Sequence, residues 1–558
     1  MTKNEILISV FDDYLKTLVI NKFEDVENIE SVLLPLINDE IESQNSIKTK
    51  GRKIQCLDHL PFWQIANLIN HIFTVKMIRL VPTDNDNESS ILGIYVDDLI
   101  THLLCDDSRK GLYIVGTDAE SLIKKVAIRI SVSITQSEQY EIVERIKSIC
   151  GNDAKCEDRD LIAVNNGIFH YDTKELADFS PEYVFLTKSC VDYNPNATSP
   201  VIKMPNGNNW EVEAWMNELN DDPEITNLFW EITSALLRPN VRWNKAAMLM
   251  SNTGNNGKGT LVEMWRSLLG SKAHCSIPLC DFNKKFALTP LLRASAIITD
   301  ENDVGSYIDK AGVLKAIITN DVVTIEKKFN DPVSYRVHGF MVQCLNDLPR
   351  TKDKSESYFR RQLFIPMTKC FTGMEIPEIK NDYLHRKEVL EYVMKKALET
   401  NFYKLSEPAS CKLALEGYKE FNDPVRQFWG EFKDEFKWNL LPFQFLYDLF
   451  VSWFRKNSPS GTVPGNNVFK DDLLSLIAND TEWNCDDPRK KIRVSKKSNM
   501  DEPEPLILEY GLDDWKNKVY RGSNKLMLAK IDPADSYRGL VRLDTYNKAT
   551  NDADDNNI

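Results

Sequence analysis

The segment Ser251-Asn252-Thr253-Gly254-Asn255-Asn256-Gly257-Lys258-Gly259-Thr260 sets small residues, amides and one lysine at a spacing that suits phosphate binding. It follows an apolar run, Ala246 to Met250, that reads as a buried strand. It precedes Leu261 to Leu269, which reads as a helix capped by Gly270. Small residues let backbone N–H groups turn inward around phosphate oxygens, and a helix N-terminus adds positive field. Thr253, Gly254, Asn255, Asn256, Gly257, Gly259 and Thr260 would cradle the phosphates of ATP, and Lys258 would reach the β- and γ-phosphates. The pattern G-x-x-x-x-G-K-[ST] is met imperfectly. Asn252 stands at the first Gly, and Gly259 stands where a hydroxyl normally binds Mg²⁺. Thr260, one residue late, is the candidate hydroxyl; a chance Gly/Asn-rich turn is the alternative.

Three further strand tips follow in chain order. Ala294 to Thr299 is apolar and ends in Asp300-Glu301, a carboxylate suited to Mg²⁺ and a second suited to polarising a water. Phe340 to Leu345 ends in Asn346, which can hydrogen-bond a γ-phosphate or the lytic water. Gln362 to Met367 follows Arg360-Arg361. Taken singly, the first is a solvated acidic turn and the second a strand-end turn with Asn and Pro.

Two basic clusters stand apart from this set. Lys327, Lys328 and Phe329 lie between the short apolar segments Val322-Val323 and Val333-Ser334-Tyr335, the layout of a hairpin tip. Arg489, Lys490, Lys491, Arg493, Lys496 and Lys497 surround the alternating Ile492 and Val494, the layout of a basic strand. Upstream, Phe443 to Phe454 and Val468 to Ile477 read as two helices joined by a Ser/Pro/Gly loop. Helix, helix and basic β-wing is the order of a winged helix, in which cations meet phosphates and a helix enters the major groove. For both clusters the alternative is an ordinary solvated charge run.

The ordered set resembles superfamily 3 helicases of the phage/plasmid branch, typified by the poxvirus primase-helicase and satellite-phage replication proteins. It is similar also to replication helicases of staphylococcal pathogenicity islands and related mobile elements. The resemblance runs from about Asp160 to about Met367. It includes Asp160 to Phe169, Ser180 to Tyr183, Asp192 to Pro195, Thr319 to Pro332, Asn346 with Pro349, and Arg360-Arg361. It implies a DNA helicase of 3′ to 5′ polarity, working as a homo-oligomeric ring, a hexamer, with ATP between subunits. Lys258 would neutralise phosphate charge, Asp300 hold Mg²⁺ with Thr260, Glu301 activate water and Asn346 sense the γ-phosphate. Arg361, or Arg360 in its place, would enter from the neighbouring subunit. Lys328 and Phe329 would grip the strand in the pore; Phe329 departs from the family's frequent His. The C-terminal domain would recognise origin duplex DNA, and host replication proteins are possible partners.

The expected fold class is multidomain α/β: an AAA+-like P-loop ATPase core, a mostly helical N-terminal region and a C-terminal winged-helix domain. The expected divisions are 1–158, a collar for oligomerisation or DNA entry; 159–225, a lead-in; 226–400, the ATPase core; 405–530, the winged helix; and 531–558, a disordered polar tail. Trp210 to about Leu237 reads as one helical stretch, and Asp97-Asp98 lacks the spacing of a primase carboxylate pair. With 558 residues, 42% of them hydrophobic, the chain can bury several cores. A net charge of −14 argues against a protein that coats duplex along its outside, but not against a ring with a narrow basic pore. The 11 cysteines form no C-x-x-C, and His274-Cys275 with Cys280 reads as ordinary core or surface. No run suits a membrane span or signal peptide, so a reduced, cytoplasmic setting is expected. A P-loop DNA motor that is not a helicase and an initiator that uses ATP only as a switch remain open alternatives.

Overall fold

The computed structural model describes residues 1–48, 53–81, 90–251, 253–303, 305–327, 330–457, 462–478 and 480–543. The chain divides into two compact units, Met1–Ala414 and Leu415–Ile558. The boundary expected near 405 lies about ten residues before this division.

The first part of unit one is built on amphipathic helices. In Ile29–Ser46 the buried residues are Ile29, Leu33, Ile37 and Ile41, one every fourth position, so a single stripe faces inward. Phe62–Ile72, Thr117–Ile130 and Gln136–Ile149 close over the same core. The region is mostly helical, and these helices also cover a four-stranded sheet that the sequence reading did not anticipate. Its order is Tyr113–Val115, Ser90–Tyr95, Val75–Arg79, Gly151–Ala154. The strands are short and only partly apolar, so their pairing depends on partners distant in sequence. Asp97 has a local task here: its side chain accepts from Ile100 N at 2.9 Å and caps the helix Asp98–Leu104.

The expected helical stretch over 210–237 is two helices, Val212–Glu218 and Pro223–Leu237. Asp222 caps the second and Pro223 sits at its first turn, where a missing N–H costs nothing. Beyond it lies a five-stranded parallel sheet in the order His274–Cys275, Ala296–Thr299, Phe340–Leu345, Ala246–Met250, Gln362–Pro366. The strand Ala246–Met250 is flanked on both sides and covered on both faces, which is why it reads as an unbroken apolar run. The helix Lys258–Leu269 follows it and buries Leu261, Val262, Met264, Trp265, Leu268 and Leu269. Trp265 is fully buried, and its indole N–H donates to Thr233 Oγ1 at 2.8 Å, satisfying its one polar atom.

Unit two has an aromatic core containing Phe428, Trp438, Phe445, Phe450, Phe469 and Trp483. The chain order is helix Pro424–Phe432, strand Leu440–Pro442, helices Phe443–Asn457 and Asn466–Ile477, and strand Trp483–Asn484. A long excursion follows, then strand Gly539–Arg542. Gly539–Arg542 lies between the other two strands in an antiparallel sheet. A Cβ at Gly539 would stand 2.0 Å from Leu441 O, so this close pairing requires glycine. This strand, and Ser536–Tyr537 before it, correct the disordered tail expected from 531; its remainder, 544–558, lies outside the described residues. Among the described residues no helix is long and apolar enough to cross a membrane.

Candidate active site

Strand register assembles the site. Met250 pairs with Leu345, and Thr299 with Gln343. Ser251, Asn346 and Asp300 therefore emerge at the same carboxyl edge of the sheet, where open α/β sheets bind ligands. The three tips, separated by tens of residues in sequence, are brought together by parallel pairing.

The loop between Met250 and Lys258 is shaped by two left-handed residues, Asn255 (φ 51°) and Gly257 (φ 83°). A Cβ at Gly257 would stand 2.6 Å from Leu219 Cδ2, so both backbone angle and space require glycine. Asn256 is buried; its amide donates to Thr253 O, and its Oδ1 accepts from Lys258 N at 3.2 Å. Ser251 Oγ accepts from Thr253 N at 3.3 Å. No Cβ contact would arise at Gly254. Asn252 lies outside the described residues.

A segment the sequence reading missed braces this loop. Phe371 N donates to Asn255 O at 2.7 Å, and Asn255 Nδ2 donates to Glu375 Oε1 at 2.8 Å and Thr372 Oγ1 at 3.3 Å. These partners lie more than a hundred residues downstream, and no local pattern marks them.

Lys258 begins the helix and is only 6% exposed. Its ammonium donates to Leu345 O at 2.9 Å, Asn346 Oδ1 at 2.8 Å and Ser251 O at 3.5 Å. Burial lowers its pKa from the ordinary lysine value, opposed by the nearby Cys344 and Asp300. Burial in turn pushes the Cys344 thiol up to about 12, so it remains neutral beside the Asp300 carboxylate.

Asp300 is half-buried and Glu301 is exposed. A Cβ built at Gly259 would lie 3.8 Å from each Asp300 carboxylate oxygen and 3.5 Å from Lys380 Nζ. Position 259 thus faces the carboxylate, as a metal-binding hydroxyl would, but carries no oxygen. Lys380, from the short helix Pro377–Asn381, presents an ammonium in that direction and was not anticipated. Thr260 occupies the first turn of the helix and is half-buried. Asn302 fixes the chain after Asp300: its amide donates to Gln343 Oε1 and Cys344 O, and its Oδ1 accepts from Leu279 N.

The arginines lie elsewhere. Arg361 O accepts from Ala246 N at 2.8 Å, at the amino end of the strands and opposite the phosphate loop. Its guanidinium donates to Ser357 O within the same chain, and burial followed by the Arg360 charge lowers its pKa. Arg360 is exposed. The structure therefore ties back the arginine favoured by family register and leaves its neighbour turned to solvent.

The expected hairpin is present as the antiparallel strands Val322–Lys327 and Asn330–Arg336. Its tip, Lys328 and Phe329, lies outside the described residues. In unit two, Lys491 and Arg493 are exposed, but only Ile492–Arg493 is strand. Arg489 is exposed, Lys490 lies 4.0 Å from Asp487, and Lys496 and Lys497 belong to the 3-10 turn Lys496–Ser498.

Comparison with known proteins brackets this site. No curated protein matches the chain. Among solved structures, the apo C-terminal region of NrS-1 is 12% identical, covering 78% of this chain and 97% of that one, with a TM-score of 0.43. A second NrS-1 form is 14% identical, covering 84% and 94%, with a TM-score of 0.41. JCV helicase with an acetamide compound bound is 14% identical, covering 38% and 58%, with a TM-score of 0.21. Residues 249–361, which hold the strand tips, match a family of unknown function, DUF5906. Residues 84–219 match the family described as D5 N terminal like, and residues 420–516 match the one described as Poxvirus D5 protein-like, so the chain is similar to D5-like proteins on both sides of the candidate site.

Proposed function

We propose that this protein is an ATP-driven, ring-forming replicative DNA helicase of the D5-like branch of superfamily 3. The observation that carries the reading is the buried Lys258 ammonium, held at the carboxyl edge of a parallel sheet by Leu345 O and Asn346 Oδ1 with Asp300 alongside. A lysine so placed matches a polyphosphate better than it matches the carbonyls that hold it now. The D5-like matches support the same branch.

In this mechanism the inward-turned loop of residues 253–257 and the helix N-terminus receive the β- and γ-phosphates. Asp300, a half-buried hard oxygen donor, would hold Mg²⁺, and Gly259 beside it brings no hydroxyl. The ion, when bound, neutralises charge building on the phosphate oxygens. Glu301, exposed at the cleft, takes a proton from the attacking water, and Asn346 senses the γ-phosphate. An arginine from the neighbouring subunit stabilises the transition-state charge. Arg360 is the better placed of the pair, since Arg361 is engaged by Ser357 O. The hairpin Val322–Lys327 and Asn330–Arg336 carries its tip through a central pore with 3′ to 5′ polarity. The C-terminal unit acts as a winged helix and binds duplex DNA.

The test is Lys258→Ala in the full chain. ATP turnover, stimulated by single-stranded DNA in the native protein, is expected to fall at least a hundredfold with the circular dichroism spectrum unchanged. Near-native turnover would remove the phosphate-loop reading. Turnover without strand displacement on forked DNA would favour a motor that is not a helicase.

A further inference from the structure

The excursion between Trp483–Asn484 and Gly539–Arg542 contains a two-stranded antiparallel ribbon, Ile492–Arg493 against Ser536–Tyr537. Ile492 faces Tyr537, and Arg493 faces Ser536. Directly opposed residues share a face, and successive residues alternate between faces. Ile492, Val494 and Tyr537 pack against the aromatic core of the unit, so theirs is the inner face. Arg493 and Ser536 take the outer one. One further step of the same register sets Lys491 opposite Arg538, also on the outer face, and both are exposed. Asp535 accepts from Val494 N at 2.9 Å and falls by the same alternation into the inner set. Pleating thus sorts the charges of the ribbon, collecting Lys491, Arg493 and Arg538 on one side and setting Asp535 out of their row. Among the described residues, none of the three has an ion-pair partner. Like charges opposed across a ribbon repel. A polyanion lying across them reverses that repulsion.

The helix Asn466–Ile477 has the opposite character. It carries one cation, Lys470, against Asp471 and Asp472. Lys470 Nζ lies 5.5 Å over the Phe443 ring, within its own unit. The exposed positions include Asn467, Val468, Asp471 and Ser475, which offer no positive charge to a phosphate backbone.

We infer that the C-terminal unit grips duplex DNA through the outer face of this ribbon, with Lys491, Arg493 and Arg538 on phosphates, as a contact indifferent to sequence. The helix Asn466–Ile477 is not the principal contact. The inference rests on the DNA-translocating function proposed above. It adds Arg538, which lies in the segment expected to be a tail, and replaces origin reading by this unit with backbone binding.

The experiment measures binding of the full chain to short duplexes of two unrelated sequences across a salt series, by fluorescence anisotropy. Each phosphate contact contributes a slope of about 0.9 in log affinity against log salt. The triple variant Lys491→Gln, Arg493→Gln, Arg538→Gln should lower the slope by about 2.7 on both duplexes, while ATP turnover without DNA is unchanged. The charge-retaining variant K491R/R493K/R538K should keep the native slope, which separates charge loss from misfolding. Asn467→Ala with Ser475→Ala should leave it unaltered. A native slope in the neutralised triple variant would overturn the inference and leave the helicase reading standing, as would a defect confined to one sequence. Failure of the native protein to bind either duplex or single-stranded DNA at low salt would overturn both.

Discussion

A buried ammonium that meets only carbonyl and amide oxygens is held against its own desolvation, and Lys258 is in that position. Its lowered pKa links nucleotide binding to protons. Phosphate favours the ammonium, so binding raises the pKa and draws a proton in. Uptake occurs between the lowered value and the ordinary lysine value of about 10.4. ATP affinity is therefore expected to fall as pH rises through that window. The free protein shows the opposite trend from this group: its unfolded state holds a proton the native state has lost, so stability rises with pH there. Calorimetry in buffers of different ionisation heat checks this; proton release on binding at the upper end would contradict it. At this scale much was legible. Asp300 and Asn346 each end an apolar run, Lys258 closes the Gly/Asn-rich loop that follows another, and strand ends are where loops present side chains. The choice between Arg360 and Arg361 was not legible, because adjacent arginines differ only in what buries them. Lys380 and Glu375 reach the site from segments with no signature of their own.

Between residue and fold stands the helix Lys258–Leu269, whose inner face sets where Lys258 begins. Trp265 anchors that face, fully buried and hydrogen-bonded to Thr233. Trp265→Ala is expected to cost about 3–5 kcal/mol from lost packing and the cavity left behind, and to raise KM for ATP because the first turn loses its seat. Urea unfolding with a nucleotide titration reads both effects; a change below about 1 kcal/mol would show that the helix is positioned by other contacts. The core strands were legible as elements because each is buried on both faces and so continuously apolar. The sheet of the N-terminal region was not. Val75–Arg79 mixes Lys76 and Arg79 with apolar residues, Tyr113–Val115 is three residues long, and Gly151–Ala154 has no apolar residue but Ala154. Strands that borrow stability from neighbours leave little trace in their own composition.

For the whole molecule, the proposed ring makes hydrolysis a property of two chains. Arg361 O lies at the amino end of the sheet and Lys258 at the carboxyl end, so one chain's arginine pair and phosphate loop face different ends of its own core. Arg360→Ala and Lys258→Ala should each abolish turnover, and mixing the two variants should restore part of it, since some interfaces regain both groups. Absence of rescue in rings shown to be mixed would place Arg360 outside the reaction. The winged-helix reading set a junction near 405, and the division by compactness falls after Ala414.

The parallel sheet also has a consequence in time. Ala246–Met250 lies between Phe340–Leu345 and Gln362–Pro366, yet both of these neighbours come about a hundred residues later. At synthesis rates of about 5–20 residues per second, the strand waits on the order of ten seconds for its last partner. During that interval the most apolar strand of the core, and the loop that follows it, exist with open edges. The phosphate site therefore becomes native only after both neighbours have emerged, while the N-terminal helices and their sheet, complete by Ala154, already have a core of their own.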